Sequence, residues 1–183
     1  MLDACVLYPA PLRDLLLSLA AAGLYRAKWS QQIHDEWTRN LIANRPELDP
    51  ERLRTTCTKM NVAVPDSLVT GYEDLIDSLH LADPDDRHVL AVAIRSDADA
   101  IITFNQRDFD ESELDKYDIY TEHPDEFVSN MIALYNPRVI SVVREMRERL
   151  KNPPKSVEEF LSTLHQQGLP QAVSRLSEYS GAL

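Results

Sequence analysis

The stretch Leu81–Asp110, LADPDDRHVLAVAIRSDADAIITFNQRDFD, constrains this chain more than any other. It begins as an acidic loop carrying Asp83, Asp85 and Asp86. Pro84 then starts a helix in which Val89, Leu90, Val92, Ala93 and Ile94 leave almost no polar face, the pattern of a helix buried on all sides. Ala98–Phe104 reads as an apolar strand, and the chain leaves it through a polar turn with Asn105, Asp108 and Asp110. A helix and the strand that follows it pack side by side in an α/β sheet. Both acidic clusters are therefore expected at one sheet edge, a layout suited to holding a divalent cation with carboxylates.

With 183 residues the chain has room for one domain and an extension, or for two small domains. Its ordinary apolar share allows a sizeable core. No run approaches the roughly 18 apolar residues of a membrane span. The N-terminal MLDACVLYPAPLRD has no basic leader and carries Asp3 inside its apolar run, which makes it a poor signal peptide. Cys5 and Cys57 are the only cysteines; they argue against a disulfide framework and fit a reducing cytoplasm. The formal net charge of −11, taken alone, argues against nucleic-acid binding, because phosphate contacts need Lys and Arg. The distribution matters more than the sum. Acidic residues crowd into Asp66–Glu126, whereas Arg138, Arg144, Arg147, Arg149, Lys151 and Lys155 gather toward the C-terminus. An acidic middle fits a metal site, a solvated face or a docking surface for a basic partner.

Met1–Leu7 is mostly apolar, as a central parallel strand is, and the prolines at 9 and 11 stop it. Met1 leaves almost nothing ahead of Asp3, so either the sheet edge is frayed there or the true start lies upstream. Leu12–Ala22 has helical periodicity and stops at Gly23. Ser30 is placed to cap a helix over Gln31–Asn44 with Ile33, Trp37, Leu41 and Ile42 on its apolar face and Glu36 beside that face. Asp49-Pro50-Glu51 starts a helix to about Met60, and Asn61–Pro65 reads as a connector. Asp66–Leu79 reads as a weaker helix broken near Gly71. Beyond the central stretch come a short strand at Asp118–Thr121 and helices at Pro124–Leu134 and Pro137–Leu150. Asn152-Pro153-Pro154 is the clearest linker signal. After it Ser156-Val157-Glu158-Glu159 matches a capping box, and Leu169-Pro170 opens a last helix.

Four acids make the case for a metal: Asp3 in the first strand, Glu36 on a helix, Asp86 opening the buried helix and Asp108 after a strand. Mg2+ and Mn2+ take oxygen ligands, and two such ions about 4 Å apart activate water and stabilise the leaving oxygen of a phosphodiester. Without a cation such carboxylates repel one another, and raised pKa values are expected. Asp86 is equally readable as a helix cap and Asp108 as a turn residue, whereas Asp3 and Glu36 lie in or beside apolar segments. Asp83 fits a capping or supporting role, and Thr103 and Asn105 fit either a supporting role or a plain strand-end turn. His88, inside the buried helix, reads as a hydrogen-bonded core histidine rather than a ligand. The chain has only four glycines and no glycine-rich phosphate loop, no nucleophile elbow and no Cys–His pairing.

These acids in this order resemble the PIN-domain nucleases, and within them the VapC-type toxins of bacterial toxin–antitoxin pairs. The resemblance is carried by LDACVLYPAPLRDLLL with Asp3, WSQQIHDEWTRN with Glu36, DRHVLAVA with Asp86, and ITFNQRDF with Asn105, Asp108 and Phe109. It implies a three-layer α/β/α fold with a parallel central sheet of about five strands, in a nuclease domain over residues 1–135. Residues 136–183 would form a helical C-terminal extension, as in a larger VapC subgroup. It further implies Mg2+- or Mn2+-dependent endoribonuclease activity, with Asp3, Glu36, Asp86 and Asp108 as metal ligands and catalytic residues. Many members of that family place an Asp where this chain has Asn105, so the resemblance leaves two readings of the fourth ligand, Asp108 or Asn105 through a water.

The expected partners are an RNA substrate and an antitoxin protein whose basic segment suits the acidic body; a homodimer stays open, and a membrane is not expected. Two other readings share the fold: an RNA-processing or DNA-repair nuclease outside a toxin pair, and an interaction module that no longer cuts. An aspartate-nucleophile phosphatase wants a second Asp at position 5, which is Cys.

Overall fold

A computed structural model describes every residue, Met1–Leu183. In chain order the elements are α1 (Ala4–Leu7), α2 (Ala10–Ala21), β1 (Trp29–Ser30), α3 (Gln31–Asn44), α4 (Pro50–Ala63), β2 (Leu68–Val69), α5 (Arg87–Arg95), β3 (Ala100–Ile102), α6 (Glu111–Leu114), β4 (Tyr120–Glu122), α7 (Pro124–Glu148), α8 (Val157–Gln166) and α9 (Pro170–Ser177). They fall into two compact units: Met1–Tyr8 with Arg26–His123, and Pro9–Tyr25 with Pro124–Leu183. No helix is long and apolar enough to cross a membrane.

The first unit holds all four strands. β1 pairs parallel with β2, and β3 pairs parallel with β4. Met1–Leu7, expected as a strand, is extended only over its first three residues. Leu2 bridges Ile102, with Ile102 N donating to Met1 O at 2.9 Å and Asp3 N to Ile102 O at 3.2 Å. Leu2 N also donates to Lys28 O at 2.9 Å, next to β1. The chain then leaves the extended conformation because Asp3 acts as an N-cap: its Oδ1 accepts from Ala4 N at 2.5 Å and starts α1. Asp66–Leu79, expected as a broken helix, is instead β2 followed by a 3-10 helix at Glu73–Ser78, with Gly71 between them at φ +72°. The left-handed turn at Gly71 is one a side chain disfavours.

The core of this unit surrounds α5, where Val89, Leu90, Ala91, Val92 and Ala93 are all fully buried. The helix packs on β3 and on the 3-10 helix. α3 is capped by Ser30, whose Oγ accepts from Ile33 N at 3.3 Å. α4 runs on to Ala63, past the expected connector at Asn61, because Asn61 is needed inward: its Oδ1 accepts from Trp29 Nε1 at 2.7 Å and pairs with His34 Nε2 at 3.1 Å.

The second unit is helical. α2 packs on α7 and α8, and α9 packs on α7 and α8. The two helices expected at Pro124–Leu134 and Pro137–Leu150 are one kinked helix, with Tyr135 at φ −128°, ψ 32°. Pro137 has no N–H to give, and its ring clashes with the carbonyl four residues earlier, so the helix bends there instead of ending. Asp125, on the first turn of α7, is 2% exposed and accepts from Gln171 N at 3.0 Å and Ala172 N at 2.9 Å, capping α9 from another helix. The capping box at Ser156 and Glu159 is formed. Much of the basic C-terminal group is spent inside this unit. Arg147 donates to Leu183 O and Lys155 O, Arg149 to Ser18 Oγ, Arg138 to Ala22 O and Lys155 to Thr163 Oγ1.

Candidate functional site

Asp3 and Asp108 reach the same region by topology. The Met1–Asp3 segment and β3 run parallel as neighbours, and both acids follow the carboxyl ends of their segments, where sites in parallel α/β sheets lie. Asp3 is 3% exposed. Besides Ala4 N at Oδ1, its Oδ2 accepts from Thr103 Oγ1 at 2.7 Å and from Cys5 Sγ at 3.0 Å. Burial pushes the Asp3 carboxyl above its ordinary range, and the charge of Glu36 adds to the rise, while the hydrogen bonds pull it back. Burial also pushes the Cys5 thiol up, which keeps its proton available to Asp3.

Thr103 is fully buried and relays between two parts of the site. Its hydroxyl donates to Asp3 and accepts from Asn105 N at 2.9 Å. Phe104 N donates to Cys5 Sγ at 3.3 Å, and Gln106 Nε2 to Thr121 O at 3.3 Å. The turn after β3 is thereby clamped to residues 3–5 and to β4. That turn is a 3-10 helix, Gln106–Asp108, which leaves Asp108 half-buried and Asn105 exposed. Thr103 thus holds Asp3, and Asn105 serves through its backbone.

Asp86 sits where a 3-10 turn, Pro84–Asp86, passes into α5. Asp83 caps that turn, its Oδ1 accepting from Asp85 N at 2.9 Å. Asp86 makes no cap hydrogen bond of its own, so its carboxylate is not spent on the helix. Burial, then the charges of Asp3, Asp83, Asp108 and Glu36, push the Asp86 carboxyl up to about 7. Glu36, on α3, lies with Oε2 at 3.3 Å from His88 Nε2.

No three Asp, Glu, His or Cys side chains converge closely enough to form a ready-made coordination sphere. The four acids are neighbours electrostatically without being preassembled ligands. The donor set still fits a hard cation. All four are carboxylates, Asp3 Oδ1 has taken only one hydrogen bond, and Mg2+ keeps several waters while binding through one or two carboxylates. A cation is also what such mutually repelling charges lack.

Comparison with known proteins bears on the family and on the α/β fold. Residues 1–107 match the PIN domain, and residues 124–178 match the family described as VapC50 C-terminal domain. The chain belongs to the PIN-domain family, with an α/β fold followed by a helical C-terminal region. Within that family it is of the VapC type. A relative from Mycobacterium tuberculosis, named "Putative ribonuclease VapC50", is 32% identical over 128 residues, covering 68% of this chain and 75% of the relative. No solved structure matches the chain.

The pairing that sequence reasoning missed is Glu36 with His88. Periodicity places each on its own helix but cannot say that α3 and α5 meet at those two residues. The donation from Cys5 to Asp3 had no signal beyond its spacing of two residues.

Proposed function

We propose that this chain is a metal-dependent endoribonuclease, the toxin of a bacterial toxin–antitoxin pair. The observation that carries this is the setting of Asp86: a half-buried carboxyl pushed up to about 7 by burial and by four other acids, in a chain of the PIN family. The ribonuclease name of the mycobacterial relative supports the substrate class.

In this reading Asp3, Glu36, Asp86 and Asp108 hold Mg2+ or Mn2+. The cation supplies charge neutralisation at the scissile phosphate and activation of water. The chain's own residues do the rest. Thr103, Cys5 and Ala4 N fix both oxygens of Asp3. Asp83 shapes the turn that presents Asp86, and the clamped turn after β3 presents Asp108. Glu36 completes the set from α3 or orients the attacking water. An acidic site admits a phosphate only once its charge is reversed, so RNA binding depends on the cation.

The fold reading behind this is one frayed five-stranded parallel sheet, in the order Leu68–Val69, Trp29–Ser30, Met1–Asp3, Ala100–Ile102, Tyr120–Glu122. The supporting observations are the backbone bonds from Leu2 N to Lys28 O and between Met1–Asp3 and Ile102, together with the two parallel pairs. The net charge of −11 suits an antitoxin with a basic segment.

The test is incubation of mixed RNA with the purified chain and its Asp86→Asn variant, with Mn2+ and with chelator. Cleavage by the parent alone, and only with metal, supports the reading; cleavage in chelator, or undiminished by the substitution, overturns the mechanism. Growth arrest on expression, relieved by a small neighbouring reading frame, supports the toxin role, and normal growth overturns it.

A further inference from the structure

We propose that His88 is the positioning residue for Glu36: its Nε2–H fixes Oε2 of that carboxylate so that Oε1 is presented to the metal site. The inference rests on the metal-site reading above and adds to it a residue outside the four acids.

The chain contains its own control. His34, also fully buried, uses both ring nitrogens: Nδ1 accepts from Trp37 Nε1 at 3.1 Å, and Nε2 pairs with Asn61 Oδ1 at 3.1 Å. That is how a structural histidine resolves its polar atoms. His88 is as deeply placed, at 4% exposed, yet its Nδ1 is enclosed with no hydrogen-bond partner. Its Nε2 faces Glu36 Oε2 at 3.3 Å. A carboxylate oxygen at that distance accepts from an N–H at Nε2, and Nδ1 is left enclosed without a partner. An enclosed, unpartnered nitrogen is a cost that an apolar side chain would avoid. What the histidine provides in exchange is one rigid N–H aimed at Glu36.

Glu36 needs such a guide. Its side chain is 27% exposed, and it reaches the acidic neighbourhood from a different helix than Asp86. His88 lies two residues beyond Asp86 at the start of the buried stretch His88–Ala93 of α5, so one element sets Asp86 directly and Glu36 through the imidazole. Groups that orient metal-binding side chains in this way are part of the site's design.

The test is the Mn2+ affinity of the folded, full-length chain, measured by calorimetry without RNA, for the parent and for His88→Gln, His88→Asn, His88→Leu and Glu36→Gln. A glutamine amide nitrogen reaches about as far as Nε2, whereas an asparagine amide reaches only the place of Nδ1. The expected result is a loss of about 10-fold or more in Mn2+ affinity for Leu and Asn, with Gln keeping most of it. The loss in His88→Leu should not add to that in Glu36→Gln when the two are combined. Where the Leu variant fails to fold, the Gln and Asn pair decides. A parent that binds no Mn2+ overturns the metal site and this inference together. A parent that binds, weakened by Glu36→Gln but not by His88→Leu, or weakened equally by Gln and Asn, overturns this inference alone.

Discussion

The Thr103 hydroxyl donates a 2.7 Å hydrogen bond to Asp3 Oδ2, joining residues 100 positions apart in the chain. Thr103 Oγ1 also accepts from Asn105 N at 2.9 Å, so one buried hydroxyl sets the first acid of the site and the turn that carries the last. Thr103→Val keeps the shape and removes both bonds. It leaves a buried carboxylate short of a donor and should cost about 1–3 kcal/mol of stability. Thr103→Ser should lose much less. Urea unfolding of the two variants checks this; equal losses would mean that the methyl group matters more than the hydroxyl.

Asp86 makes the metal-free protein pH-sensitive. Its folded value of about 7 lies above its ordinary 3.8, so the folded chain holds a proton that the unfolded chain releases. Its contribution to stability is therefore fully present below 3.8 and is lost as the pH rises through about 7. Asp86 is only half-buried, and solvent screening limits the effect to a slope in melting temperature. Asp86→Asn should gain stability relative to the parent between pH 4 and 7. Mn2+ should stabilise the parent increasingly over the same window, because the cation competes with the proton. Scanning calorimetry of both proteins across that range is the measurement, and a relative gain that shrinks as the pH rises contradicts it.

Asp125 should matter to α9 in the second unit. It caps α9 with bonds to Gln171 N and Ala172 N. Asp125→Ala strips two backbone N–H groups of their acceptor and should cost about 2 kcal/mol. Hydrogen exchange should show the loss first in Pro170–Ser177. Protection unchanged there would remove the capping role.

Asn61 is a second, half-buried anchor, accepting from Trp29 Nε1 and paired with His34 Nε2. Asn61→Leu leaves both ring nitrogens without their partner and should cost about 2 kcal/mol or more. Thermal unfolding decides, and a neutral outcome would mean that the rings find other partners.

Much of this was legible in the residues. Ser30 before Gln31, Asp49-Pro50, Gly23 and the Ser156–Glu159 box marked helix ends that the fold uses, because caps act through local hydrogen bonds. The burial of Val89–Ala93 in α5 followed from its near lack of a polar face, although Ile94 stays partly exposed. Three features did not follow. Asp3 ends its strand by capping α1, a choice between two local roles that composition cannot make. Pro137 bends α7 where it was expected to separate two helices, since a kink and a break share one signal. His88 meets Glu36 across two helices, and a partner in space leaves no trace in periodicity.

The most direct test of the central claim is the position of Mn2+ in crystals of this protein, located by its anomalous scattering. A peak is expected among Asp3, Glu36, Asp86 and Asp108, within about 2.1 Å of at least one of their carboxylate oxygens and absent from the Asp86→Asn variant. A peak elsewhere, or none in crystals of protein that cleaves RNA with Mn2+, contradicts it.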